Sequence, residues 1–113
     1  MFTNGFSNKV VLYVPSTIDV STELDKSTVK HYVDRTMRFL SQRFGGSTAQ
    51  EAKGAWVAAD GTLVIEAVTL VYAYAESLNG ADYTAIRAYC DWLRHELSQE
   101  AIAAEINGKL YFI

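Results

Sequence analysis

The feature that most constrains this chain is the apolar run at residues 63–74, LVIEAVTLVYAY. In a strand, successive side chains point to opposite faces. Leu63, Ile65, Ala67, Val71 and Ala73 therefore share one face, and Val64, Val68, Leu70, Tyr72 and Tyr74 the other. Apolar or aromatic side chains on both faces are the mark of a central strand with cover on each side. The segments before it are set by this run. A helix stop at Gly45-Gly46 leads into a weaker strand containing Gly54 and Trp56, and a turn at Asp60-Gly61 feeds the run itself.

A chain of 113 residues, half of them hydrophobic and only one of them proline, can bury a core without disulfides or a structural metal. We expect one domain over residues 9–113 behind a flexible lead-in at residues 1–8. The net charge of −3 and the pI near 5.3 offer no general attraction for phosphate backbones or anionic lipid, so nucleic acid is not an expected partner. One cysteine, Cys90, cannot form an internal disulfide framework or a cysteine-based zinc site. The lone thiol, together with an amino terminus that lacks a basic region and meets Pro15 after a short apolar stretch, predicts a cytoplasmic protein without a signal peptide. No segment reaches the roughly 20 apolar residues of a spanning helix, so no membrane association is expected.

The remaining elements follow from periodicity. Residues 9–14 form a β-branched strand, and residues 15–25 a long polar connection that suits either a functional loop or an extra edge strand. Ile18, Val20 and Leu24 are the residues able to pin that connection to the body. Val29, Val33, Met37, Leu40 and Phe44 recur at helical spacing, with Asp25 or Ser27 as the cap and Gly45 as the stop. Ile86, Cys90, Leu93 and Leu97 mark a second amphipathic helix from about Asp82 to Ser98. Asn107-Gly108 then predicts a two-residue hairpin turn between residues 101–106 and 109–113.

The order strand, helix, strand, strand, helix, strand, strand predicts an α+β ferredoxin-like sandwich with an added C-terminal strand. Both helices cover one face of an antiparallel sheet. The other face keeps large apolar side chains that a soluble monomer rarely exposes. The prediction is a homodimer, joined through the open sheet face or an edge strand, with a protein partner as the second way to cover the patch.

The pieces FGGSTAQEAKGAW, DGTLVIEAVTLVYAY and QEAIAAEINGKLYFI resemble a group of small, mostly uncharacterised bacterial and phage or plasmid-borne proteins that share a GG-T…G-W…G-x-L-V-x-E pattern. The resemblance spans residues 9–113. It implies a ferredoxin-like, often dimeric protein and brings no activity and no assigned residues with it.

No catalytic, metal or phosphate motif stands out, and neither a cofactor nor a metal is expected. Glu66 interrupts the central strand, so a buried carboxylate there could act as an acid or base or anchor a ligand's amine. The plainer role is a structural one, hydrogen-bonded to Trp56, Thr48 or a dimer mate. Trp56 could stack a ligand or fill an interface. Tyr13, Tyr72, Tyr74 and Tyr111 could form an aromatic platform, with interface burial the plainer reading. Ser16, Thr17 and Asp19 form the remaining polar cluster, in the long loop. On one helix, Cys90 and His95 cannot face each other, and Asp91 is the expected partner of His95. The first helix carries Lys26, Lys30, Arg35, Arg38 and Arg43 against Asp34, which reads as a solvated face laced by Lys30–Asp34 and Asp34–Arg38 pairs. The sequence favours a non-enzymatic interaction module, a homodimer in which a cleft bounded by residues 15–25, Trp56 and Glu66, or else an exposed edge, engages another protein; the resemblance to mobile-element proteins implies a phage or mobile-element accessory or anti-defence role. The alternative is a small cofactor-free enzyme of the dimeric α+β barrel type that uses Glu66 as acid or base in an apolar pocket.

Overall fold

The computed structural model describes residues 2–19 and 21–113. Nine elements follow one another: β1 (Asn8–Pro15), β2 (Thr17–Ile18), β3 (Thr22–Glu23), α1 (Lys26–Phe44), β4 (Thr48–Val57), β5 (Leu63–Ala75), α2 (Gly80–Glu96), β6 (Ala103–Ile106) and β7 (Lys109–Phe112). The five long strands make one antiparallel sheet in the order β4-β5-β1-β6-β7. This is the ferredoxin-like α+β sandwich with its added C-terminal strand, and β5 is central as its two-sided pattern requires. Among the described residues β2 and β3 pair only with each other, so the long connection holds a small hairpin instead of an edge strand of the main sheet.

Local chemistry sets the element ends. Asp25 caps α1 by accepting from the Thr28 N–H at 2.7 Å. Those bonds hold its carboxyl below the ordinary aspartate range. Gly45, at φ +93°, takes the left-handed conformation that closes the helix, and its N–H donates to the Ser41 carbonyl. α2 begins two residues before its expected start because Asn79 and Asp82 form a reciprocal capping box. Asn107 and Gly108 both have positive φ, as the predicted hairpin turn demands.

The core lies between the helices and one face of the sheet. Val10, Leu12 and Val14 of β1, Val71 and Ala73 of β5 and Ala104 of β6 meet Leu40 of α1 and Ile86, Cys90 and Leu93 of α2, and all of them are buried. Cys90 is thus a core residue. Burial pushes its thiol up to about 12, which keeps it protonated and removes it as a nucleophile.

One sequence expectation is corrected here. Cover on both faces is not observed: the helices cover one face of the second half of β5, where Val71 and Ala73 are buried, and its other face is open. β1 stops at Pro15, opposite Val68, so residues 63–67 pair with β4 alone. Pro15 has no N–H with which to continue the ladder. The β4–β5 hairpin therefore projects about 17 Å beyond the body and stretches the molecule to 51 × 26 × 24 Å. On this arm Leu63 and Ile65 are 57% and 59% exposed, values that no core strand would show.

Candidate functional site

Strand parity decides what can meet what. Register between β4 and β5 runs without a bulge from Thr48↔Tyr72 to Val57↔Leu63. Thr69, Val71 and Ala73 face the helices and are buried. Val64, Glu66, Val68, Leu70, Tyr72 and Tyr74 must then lie on the open face, and so must Gln50, Ala52, Gly54 and Trp56 across from them.

On this open face, at the base of the arm, Glu66 stands directly opposite Gly54. A side chain at Gly54 would meet nothing within 4 Å, so the absent side chain leaves an open notch beside the carboxylate. Trp56 sits diagonally across the strands from Glu66, within reach of a large aromatic ring, and is half exposed. Glu66 is half-buried and joins no salt bridge among the described residues. The suggested bond to Thr48 is not made. Thr48 pairs with Tyr72, six residues along the strand from Glu66 and roughly 20 Å away. The carboxylate therefore has room for a cationic or proton-bearing ligand, with an aromatic face at its side.

Tyr72 and Tyr74 share this face but sit at the far end of β5. Their rings meet edge to face at 6.1 Å, and the Lys9 ammonium lies 4.6 Å from the first and 5.5 Å from the second. Tyr13 is on the same side, opposite Leu70. Tyr111 is not. It pairs with Ala104, whose side chain faces the helices, so the four-tyrosine platform is divided between two faces.

The loop residues go elsewhere. Ser16 donates its hydroxyl to the Ala67 carbonyl at 2.7 Å. Thr17 is buried, and its carbonyl accepts from the Gln99 amide at 3.0 Å. Asp19 adopts φ +56°, and its N–H donates to the Leu97 carbonyl. The first contact ties the loop to β5, and the other two strap it to the segment that follows α2. Leu24 packs on the core as expected, while Val20, the other proposed pin, lies outside the described residues.

A cleft lies on the helix side of the sheet, a space of about 930 Å³ between α1, the loop and the base of the arm. Leu24, Val29, Val33, Ala49 and Ala67 supply apolar walls, and Ser16 and Thr69 supply hydroxyls. A cleft bounded jointly by the loop, Trp56 and Glu66 is thus corrected. Ser16 reaches the cleft, whereas Trp56 and Glu66 stand on the opposite face of the same two strands. Sequence reasoning missed this cleft because its walls come from four separate segments, none of which carries a local signal.

Elsewhere the polar clusters have structural occupations. Lys30 pairs with Asp34, while Arg43 reaches Asp82 at 2.8 Å and Arg35 lies over the Trp92 ring at 4.3 Å. No Asp34–Arg38 pair forms among the described residues. The His95 ring bonds the Asp91 carbonyl at 2.7 Å and not its carboxylate, which lies 3.6 Å from Arg94. No group of three metal-ligating side chains occurs among the described residues. No helix among them is long and apolar enough to cross a membrane.

No protein-family model matches the chain, and no curated protein does. Solved structures do. A phage SAM lyase in complex with S-methyl-5′-thioadenosine superimposes with a TM-score of 0.68 at 19% identity, over 100% of this chain and 94% of that one. A phage SAM lyase in its apo state matches with a TM-score of 0.68 at 20% identity, over 100% of this chain and 94% of its own. At that identity the likeness establishes a shared fold. Its carriers are phage enzymes, which overturns the expectation of a non-enzymatic binding module and moves the weight to the enzyme alternative.

Proposed function

We propose that this chain is a lyase that breaks a carbon–sulfur bond of S-adenosylmethionine and releases S-methyl-5′-thioadenosine. The observation that supports this reading is the end-to-end fold match to a phage SAM lyase whose structure holds S-methyl-5′-thioadenosine. The required bond change follows from the two molecules. The bond between the sulfonium sulfur and the γ-carbon of the methionyl portion breaks, and its electron pair returns to sulfur, which leaves as a neutral thioether. The remaining four-carbon fragment either closes its own carboxylate oxygen onto the γ-carbon or gives up a β-proton to a base. Both routes balance without an oxidant or an external nucleophile.

The substrate carries a sulfonium and an ammonium, and Glu66, which joins no salt bridge among the described residues, is a carboxylate suited to hold such a cation. In the elimination route it would also take the β-proton. Trp56 offers a face on which an adenine can stack, and the notch at Gly54 gives the ligand room to approach. This site is shallow in one chain. A second copy laid on the open sheet face as a homodimer would enclose it, exclude water and cover the exposed apolar side chains together. The reading places the protein in the cytoplasm, where the lone Cys90 stays reduced.

The test is turnover by the purified full chain. S-methyl-5′-thioadenosine should accumulate from S-adenosylmethionine well above a protein-free blank, as read by liquid chromatography and mass spectrometry. A folded sample that does not exceed the blank would retire the lyase reading. Native mass spectrometry of the same sample should report a dimer, and an active monomer would remove the proposed cover.

A further inference from the structure

We propose that the cleft on the helix side of the arm is a second ligand site, built for a small zwitterion with apolar side chains, of the amino-acid or short-peptide type. This inference does not rest on the lyase reading, because the cleft and Glu66 lie on opposite faces of the β4–β5 hairpin.

Three observations carry it. The first is shape, since a space of about 930 Å³ with apolar walls is of the size that small ligands occupy. The second is Thr69 at the cleft floor. It is only 8% exposed, yet its hydroxyl finds no hydrogen-bond partner among the described residues and is not sealed off from the open space. A hydroxyl that opens onto the cleft and has no protein partner among the described residues is free to bond an occupant. The third is charge. Lys26, Lys30 and Lys53 line the space with Glu23 and Glu51; Lys30 pairs with Asp34, and the other four join no salt bridge among the described residues. These two cations and two anions around one apolar space match a ligand that carries both signs. An anion alone would face the two glutamates, and a cation alone the two lysines.

In such a complex the ligand's ammonium meets Glu23 or Glu51, and its carboxylate meets Lys26 or Lys53. The apolar side chains lie on Leu24, Val29 and Val33, and the Thr69 hydroxyl bonds a ligand carbonyl or amide. Occupancy would tie the base of the arm to α1, whose Val29 and Val33 line the same cleft.

The experiment is a titration of the ¹⁵N-labelled full chain with L-leucyl-L-leucine, followed by amide chemical shifts. Saturable shifts are expected at Thr69, Ala49 and Val33, with Trp56 and Glu66 unmoved. N-acetylated and C-amidated forms of the dipeptide should each bind about five- to tenfold more weakly, since each lacks one charge-assisted bond. Thr69→Val should weaken binding about three- to tenfold by loss of one hydrogen bond, and Lys53→Glu on the exposed rim should weaken it without touching the core. Both variants are compared only if their spectra keep native dispersion, and Lys53→Glu serves alone if Thr69→Val does not. Any of three results would overturn the proposal: no saturable shift up to about 10 mM dipeptide, shifts centred on Trp56 and Glu66, or blocked forms that bind as tightly as the zwitterion.

Discussion

Glu66→Gln is expected to lower the rate of S-methyl-5′-thioadenosine formation by about 10²- to 10⁴-fold, the range typical of losing a positioned acid, base or ion-stabilising carboxylate. The substitution keeps shape and removes charge. The amide can neither accept the β-proton nor stabilise the sulfonium as well as a carboxylate does. Folding should be nearly unchanged, because Glu66 is half-buried, joins no salt bridge, and faces the vacant position over Gly54. Measured together, rate, native mass and circular dichroism separate the outcomes. A lost rate with intact assembly supports Glu66 in the chemistry. A retained rate moves the reaction away from this face, and a lost dimer with an unchanged rate per active subunit makes the residue structural.

Leu12→Ala should destabilise the protein by about 2–5 kcal/mol, the usual cost of deleting a buried leucine side chain and leaving a cavity. Leu12 is 0% exposed, lies between Val71 and Ala104 in the centre of the sheet, and faces the helix layer. For a domain of this size the loss corresponds to a fall in Tm of roughly 10–20 °C. Ile65→Ala is the matched control. It removes a similar side chain from the arm, where Ile65 is 59% exposed, and should cost no more than about 0.5 kcal/mol in the isolated chain. Scanning calorimetry at several protein concentrations reads both. If Ile65→Ala proves as costly as Leu12→Ala, and more so at high concentration, the arm is buried against another copy in solution. If Leu12→Ala costs almost nothing, the core between sheet and helices is wrongly placed.

The two substitutions also separate what local sequence signals reveal from what they leave open. Leu12 could be assigned to a core from its strand alone, since β-branched neighbours on both phases require a central position. Glu66 could be singled out as the charge that interrupts an apolar run. Its surroundings could not be read, because the groups near it in space come from β4, and pairing partners depend on register across a turn.

The sequence by itself determined the two helices and the five strands of the main sheet, their order and most of their ends, but not the β2–β3 hairpin. Those features arise from interactions within a few residues: the period of 2 in β5, the helical spacing of Val29 to Phe44, the Asp25 cap, the Gly45 stop and the Asn107-Gly108 turn. It also determined that β5 is central and that one sheet face lacks helical cover. Only the tertiary structure decided where β1 ends relative to β5, and this turns residues 63–67 from core into a projecting arm. Only it decided that Ser16 lines a cleft on one side of the hairpin while Trp56 and Glu66 stand on the other. The physical reason is the same in both cases. Parity along a strand tells which residues share a face, but which face the helices occupy, and where a loop is strapped down, depend on contacts between segments far apart in the chain, such as Gln99 with Thr17 and Ser16 with Ala67.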